Sequence, residues 1–158
     1  MSAHDPTHPY AFAAPELDRA SEAREHDHVL HEAWAAPATR VIVLRRDGRV
    51  LVDAAGARLL RLGNAGLALE QVSYLGRDPS GAVFCIALDE GASLAGTPEA
   101  ARYIDLRAAA AQLAAGEAAL AAFARSLLHW QSRKHFCGRC GAPARLAAGG
   151  HRARCSDE

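Results

Sequence analysis

The chain has 158 residues, half of them apolar but only 6% aromatic, and its eighteen basic and eighteen acidic side chains leave no formal net charge. That length provides one ordinary domain plus a small appendage, and the zero balance excludes a global field drawing the protein to nucleic acid or membrane. No apolar run approaches the ~20 residues of a membrane span, and the polar start "MSAHDPTHPYAF" has no signal-peptide core. The expectation is therefore a cytoplasmic protein with reduced thiols, whose four cysteines serve metal binding or burial before disulfides.

Residues 1–15 hold three of the seven prolines and no apolar period, and the reading is an extended arm over residues 1–20. "ELDRASEAREHDHVLHEAWA" has helical character, with Val29, Leu30, Ala33 and Trp34 on one face and Pro37 ending it. "TRVIVLRRDGRVLVD" is a hairpin around Arg46-Asp47-Gly48, since Asp-Gly supplies the positive backbone angles of a tight turn. "ARLLRL" reads as a third strand. "LEQVSYLGRDPSGAVFCIALD" is a second hairpin about Asp78-Pro79-Ser80-Gly81. Its second half, "AVFCIAL", is a continuous apolar run and is expected to be buried on both faces.

From Thr97 the pattern turns helical. "RYIDLRAAAAQLAAG" offers Asp105 as N-cap and Gly116 as a stop or break. "EAALAAFARSLLHWQSRKHF" repeats Leu120, Phe123, Leu127 and Trp130 at spacings of three and four, an amphipathic helix with a basic end. The rich alanine and scarce aromatics predict thin, closely packed helices with few large anchors. A boundary falls near residues 131–135. The proposed division is an α+β domain over 21–131 and a cysteine segment over 132–158.

In that segment Cys137-Gly138-Arg139-Cys140-Gly141 has the form of a zinc knuckle. Two thiolates two residues apart grip one ion if the backbone turns sharply, and the glycine after each cysteine permits the turn. Fourteen residues separate Cys140 from Cys155: within them Gly149-Gly150 make a second turn, and "HRARC" is a returning strand ending at Cys155. The spacing is that of a zinc ribbon with Cys137, Cys140 and Cys155 as metal ligands. The competing reading, a redox pair, calls for a helix opening at the motif, and the glycines and Pro143 argue against one. The spacing puts a fourth ligand at Glu158. His151 is an alternative, and so is a cysteine just beyond a truncated end.

These residues resemble the NADH pyrophosphatases of the Nudix hydrolase superfamily. "ARSLLHWQSRKHFCGRCGAP" and "GGHRARC" resemble that family's join between helix and zinc ribbon, and "LDRASEAREH" and "YIDLR" resemble parts of its N-terminal segment. The resemblance implies a degenerate Nudix-like α+β domain with a small mixed or antiparallel sheet, followed by an incomplete zinc ribbon. It implies a homodimer, structural Zn2+ on Cys137, Cys140 and Cys155, and NAD(H) as the substrate of the full-length enzyme. That enzyme would cleave the pyrophosphate to nicotinamide mononucleotide and AMP, and some members also remove NAD caps from RNA. Mg2+ or Mn2+ would belong to a catalytic Nudix domain, whose box of Arg-Glu and paired glutamates nothing here matches. Arg24-Glu25 is followed by His-Asp-His instead, so no catalytic residue carries over, and this chain alone is expected to be inactive.

Other features have plainer readings. His26, His28 and His31 form a solvated helix face rather than a metal site. Cys85 is a small hydrophobe in a strand. Trp34 and Trp130 are core or dimer-interface anchors. Arg152 and Arg154 share one strand face, as a solvated stripe or a phosphate contact. Residues 1–124 carry a balance of −5 and residues 125–158 one of +5. The basic tail therefore docks on its own acidic body or, in the alternative reading, serves a non-enzymatic module binding nucleic acid or protein.

Overall fold

The computed structural model describes residues 17–157, so the expected arm lies outside the described residues as far as residue 16. The strand-forming runs build one mixed sheet from β1 (Arg40–Arg45), β2 (Val50–Val52), β3 (Arg61–Leu62), β4 (Ser73–Asp78), β5 (Gly81–Leu88) and β6 (Arg102–Ile104). The strand order is β4-β5-β1-β2-β6, with β3 also paired to β1. The first hairpin closes as expected, with Gly48 at φ +90°.

β1 and β5 run parallel, Val41 opposite Phe84 and Val43 opposite Ile86. A parallel pair is normally covered on both faces, and side chains alternate between faces with period two. Ile42, Leu44, Val83 and Cys85 accordingly enter one apolar cluster, and Val41, Val43, Phe84 and Ile86 the other. The continuous apolar run at β5 is thus two interleaved faces, each with its own cover.

The helices supply the covers. α1 (Asp27–Ala35) lays Leu30, Ala33 and Trp34 on the second cluster, Trp34 edge-on to Phe84 at 4.9 Å between ring centroids. α2 (Leu106–Ala110) and α3 (Ala115–Gln131) cover the first, α3 burying Ala118, Ala119, Leu120, Ala121, Ala124 and Leu127. Four alanines at that interface let the helix lie close to the sheet, as the composition predicts. Trp130 is half-buried against the same cluster.

Three expectations change. The helix expected from Glu16 begins only at Asp27, after a 3-10 turn at Ala23–Glu25, because Asp18 is drawn into an antiparallel bridge with Arg77 of β4. Asp105 does cap α2, accepting from the Arg107 N–H at 2.8 Å, but Arg102–Ile104 before it is a strand on β2. The helical stretch breaks at Ala111–Ala114 rather than at Gly116, which lies inside α3; the break lets Leu113 turn into the core. Ala111, Gln112, Leu113 and Ala114 all favour helix, so only tertiary packing could choose the break.

β4 is a sheet edge whose unpaired N–H and C=O groups need cover. Asp18 takes one end, through two hydrogen bonds with Arg77 at 2.9 and 2.8 Å. The other end receives the C-terminal hairpin, β7 (Ala144–Ala147) and β8 (Arg152–Cys155). Among the described residues no helix is long and apolar enough to cross a membrane.

Candidate metal centre

The knuckle forms as its glycines suggest. The Gly141 N–H returns to the Cys137 carbonyl at 2.9 Å and the Cys137 N–H donates to Ala142 at 2.7 Å, with Gly141 at φ +78°. Phe136 bridges to Pro143, and β7 leaves from there. The hairpin brings β8 back in antiparallel register, Ala144 opposite Cys155 and Arg145 opposite Arg154. Cys155 therefore returns to the base of the hairpin beside the knuckle.

The three sulfurs lie within 4.8 Å of one another, with Cys140 and Cys155 Sγ 3.4 Å apart. A tetrahedral site with Zn–S bonds of about 2.3 Å has sulfur–sulfur edges of about 3.8 Å. The 3.4 Å pair is close to that edge, and it is far from a disulfide bond of about 2.05 Å. The donor set of three thiols fits a metal such as zinc.

The backbone also prepares the thiolate state. The Arg139 and Cys140 N–H groups point at Cys137 and hold its thiol below the usual range. At Cys155 the Asp157 N–H acts in the same direction, but hydrogen bonding with Cys140 and proximity to the Cys137 thiolate push this thiol up to about 11. Clustered thiols cannot all ionise without a cation, and a bound dication would invert that repulsion.

The structure separates the other candidates from this cluster. Cys85 is fully buried in β5, where burial pushes its thiol far up. His26, His28 and His31 are exposed on the first helix and its entry, and His31 Nδ1 meets the Asp27 carbonyl at 2.8 Å. His151 is not a fourth ligand. It sits at the tip of the hairpin, opposite the sulfurs, and its Nε2–H donates to the Tyr74 carbonyl at 2.6 Å. The expected ligand Glu158 lies outside the described residues.

The tip holds residues that pattern reading does not single out. Tyr74 N–H donates to the Gly149 carbonyl at 2.9 Å. Gln131, the last residue of α3, donates to both Ser73 Oγ and the Gly150 carbonyl at 2.8 Å. Arg152 forms a bidentate pair with Glu25 at 2.9 and 2.7 Å, so one cation of the basic tail does dock on the acidic body. The Gly149-Gly150 pair is the one signal for this contact in the sequence. It reads as a turn, while its closeness to Tyr74 and Ser73 appears only once β4 is in place.

Residues 38–130, more than half of the chain, match the NUDIX-like family described as the NADH pyrophosphatase-like rudimentary NUDIX domain. The matched span runs from just before β1 to the last turn of α3 and stops short of the cysteines. A search of curated proteins gives no match.

Proposed function

The chain belongs to the NADH pyrophosphatase-like rudimentary NUDIX family, and from that premise we propose that it is the front domain and zinc ribbon of an NAD(H) diphosphatase. The whole enzyme would hydrolyse the pyrophosphate of NAD(H) to nicotinamide mononucleotide and AMP, with NAD-capped RNA in the same substrate class. The 158 residues hold no Nudix box, so their part is structural: holding the ribbon, and offering a surface for a second copy in a homodimer. The Mg2+ or Mn2+ that polarises a pyrophosphate would be held by the glutamates of a catalytic Nudix domain.

One observation carries this reading. Three sulfurs converge at the base of a hairpin directly following the family domain. Cys137, Cys140 and Cys155 would hold the ion, and closed thiolate coordination makes it a structural zinc rather than a site for activating water. Metal analysis of the purified chain should find about one zinc per chain, held through thiolates, and incubation with NADH and Mg2+ should release no AMP. Hydrolysis by this chain alone would sink the structural role, and absence of zinc would sink the ribbon.

A specific contact favours a second reading, a ribbon that binds nucleic acid. Arg145 and Arg154 face each other across the hairpin, both exposed and neither paired with a carboxylate among the described residues. Like charges directly opposite are unfavourable in a sheet, and a phosphate over the pair would relieve them. Salt-dependent RNA affinity lost on Arg145→Ala would support this reading, and affinity independent of salt would remove it.

A further inference from the structure

The hairpin is held at both ends by different means. Its base carries the sulfurs, while its tip is fixed to the front domain by Gly149, Gly150, His151 and Arg152. A two-stranded hairpin is marginal by itself, so each end depends on order at the other. The distance between them is short: Cys155 lies three residues beyond Arg152 on β8, about 10 Å along the strand.

The tip contacts are specific. Ser73 is buried with its hydroxyl on Gln131, and Gly150 leaves no room for a β-carbon, which would lie against Ser73 and within 2.6 Å of Gln131 Nε2. Gln131 ends the helix that leads into the knuckle, so one side chain joins the approach to Cys137 to the far end of the hairpin bearing Cys155. Glu25 reaches Arg152 from 127 positions away, tying the entry of α1 to β8.

We propose that Glu25, Ser73, Gln131 and His151 form a clamp that pre-organises the metal centre, so that metal binding at the base and docking at the tip are thermodynamically linked. The clamp residues touch no ligand atom and act as positioning residues. With the tip docked, Cys155 is held where it must be for the ion and less ordering entropy remains to be lost on binding. Linkage is reciprocal: whatever the clamp adds to metal affinity, bound metal adds to docking by the same factor.

The linkage rests on the zinc reading above, and the test keeps the two apart. Zinc affinity of the whole 158-residue chain is measured by competition with a chromophoric chelator, and the exchange rate of the Tyr74 amide by NMR, with and without zinc. Gln131→Ala should raise the zinc Kd about tenfold, since it strands the buried Ser73 hydroxyl and a carbonyl. Glu25→Ala should raise it about two- to fivefold, the range of a half-exposed ion pair. The swapped pair Glu25→Arg with Arg152→Glu should recover most of that loss. Zinc should slow Tyr74 exchange in the native chain and lose that effect in Gln131→Ala.

Native zinc affinity in Gln131→Ala, with a rapidly exchanging Tyr74 amide, would overturn the linkage while leaving the zinc site standing. A native chain that binds no zinc would overturn both. Failure of the swapped pair to recover affinity would remove Glu25 and Arg152 from the clamp.

Discussion

At the scale of single residues, the four cysteines divide by environment rather than by type. Cys85 lies among strand side chains that offer no cation and no N–H, and burial holds it as a neutral thiol. Cys137 is half-buried and receives two backbone N–H groups. Cys85→Ala should therefore cost about 1–2 kcal/mol through lost packing and leave zinc stoichiometry unchanged by metal analysis. Cys137→Ser should leave the sheet folded by circular dichroism and weaken zinc by roughly a hundredfold or more, because a hydroxyl does not ionise to a ligand near neutral pH.

His151 shows the same dependence on surroundings. Burial lowers its pKa, the Tyr74 carbonyl opposes that, and the Arg24 and Arg19 guanidiniums add to it. The Phe123 ring, 5.9 Å away between centroids, packs beside it. A histidine whose docked pKa is depressed prefers to be neutral when docked. Docking is then fully supported above the free value of about 6.5 and weakens as pH falls from there towards the docked pKa. An NMR titration should place the His151 midpoint below the free value of about 6.5, and Gln131→Ala should move it upward. A midpoint unchanged by that substitution would mean that the imidazole environment does not depend on docking.

At the scale of elements, the hairpin is the informative case. Its strands, turn and knuckle are local features, and each follows from glycine and cysteine spacing. Its placement does not, because that depends on the edge of β4, a strand sixty and more residues earlier in the chain. Gly150→Ala isolates this contact. The residue sits at φ +90°, and the added methyl would press on Ser73 and Gln131. Destabilisation of about 1–3 kcal/mol is expected in chemical denaturation, with the Tyr74 amide becoming labile first. The helices give the opposite lesson. Alanine-rich stretches are helical by propensity, yet the division into α2 and α3 belongs to Leu113, which reaches the core only if the chain turns.

For the whole molecule, the question is whether ribbon and domain unfold together. Contacts from Glu25, Ser73, Tyr74 and Gln131 to the hairpin predict one cooperative unit. Free zinc at a hundred times its Kd should then raise the unfolding free energy of the entire chain by about 2.7 kcal/mol, read from the fluorescence of Trp34, which packs from α1 onto Phe84 of the sheet. A separate ribbon transition, with the Trp34 signal indifferent to zinc, would show two independent units. The family match ends at residue 130, so the joint behaviour of domain and hairpin is a property of contacts beyond the matched span.

Chemistry and local shape are legible in the residues alone: which cysteines can share an ion, where the two tight hairpins turn, which strand is buried on both faces, and that no Nudix box is present. These follow from side-chain type and short spacing, which act over a few residues. The folded chain alone reveals that β1 and β5 run parallel, that Arg102–Ile104 is a strand, that His151 serves the domain rather than the cysteine cluster, and that Gln131 joins helix, edge strand and hairpin. Each of these depends on a partner far away in the chain. A hydrogen bond or an apolar contact is indifferent to sequence separation, so its partner becomes known only when the fold brings the two together.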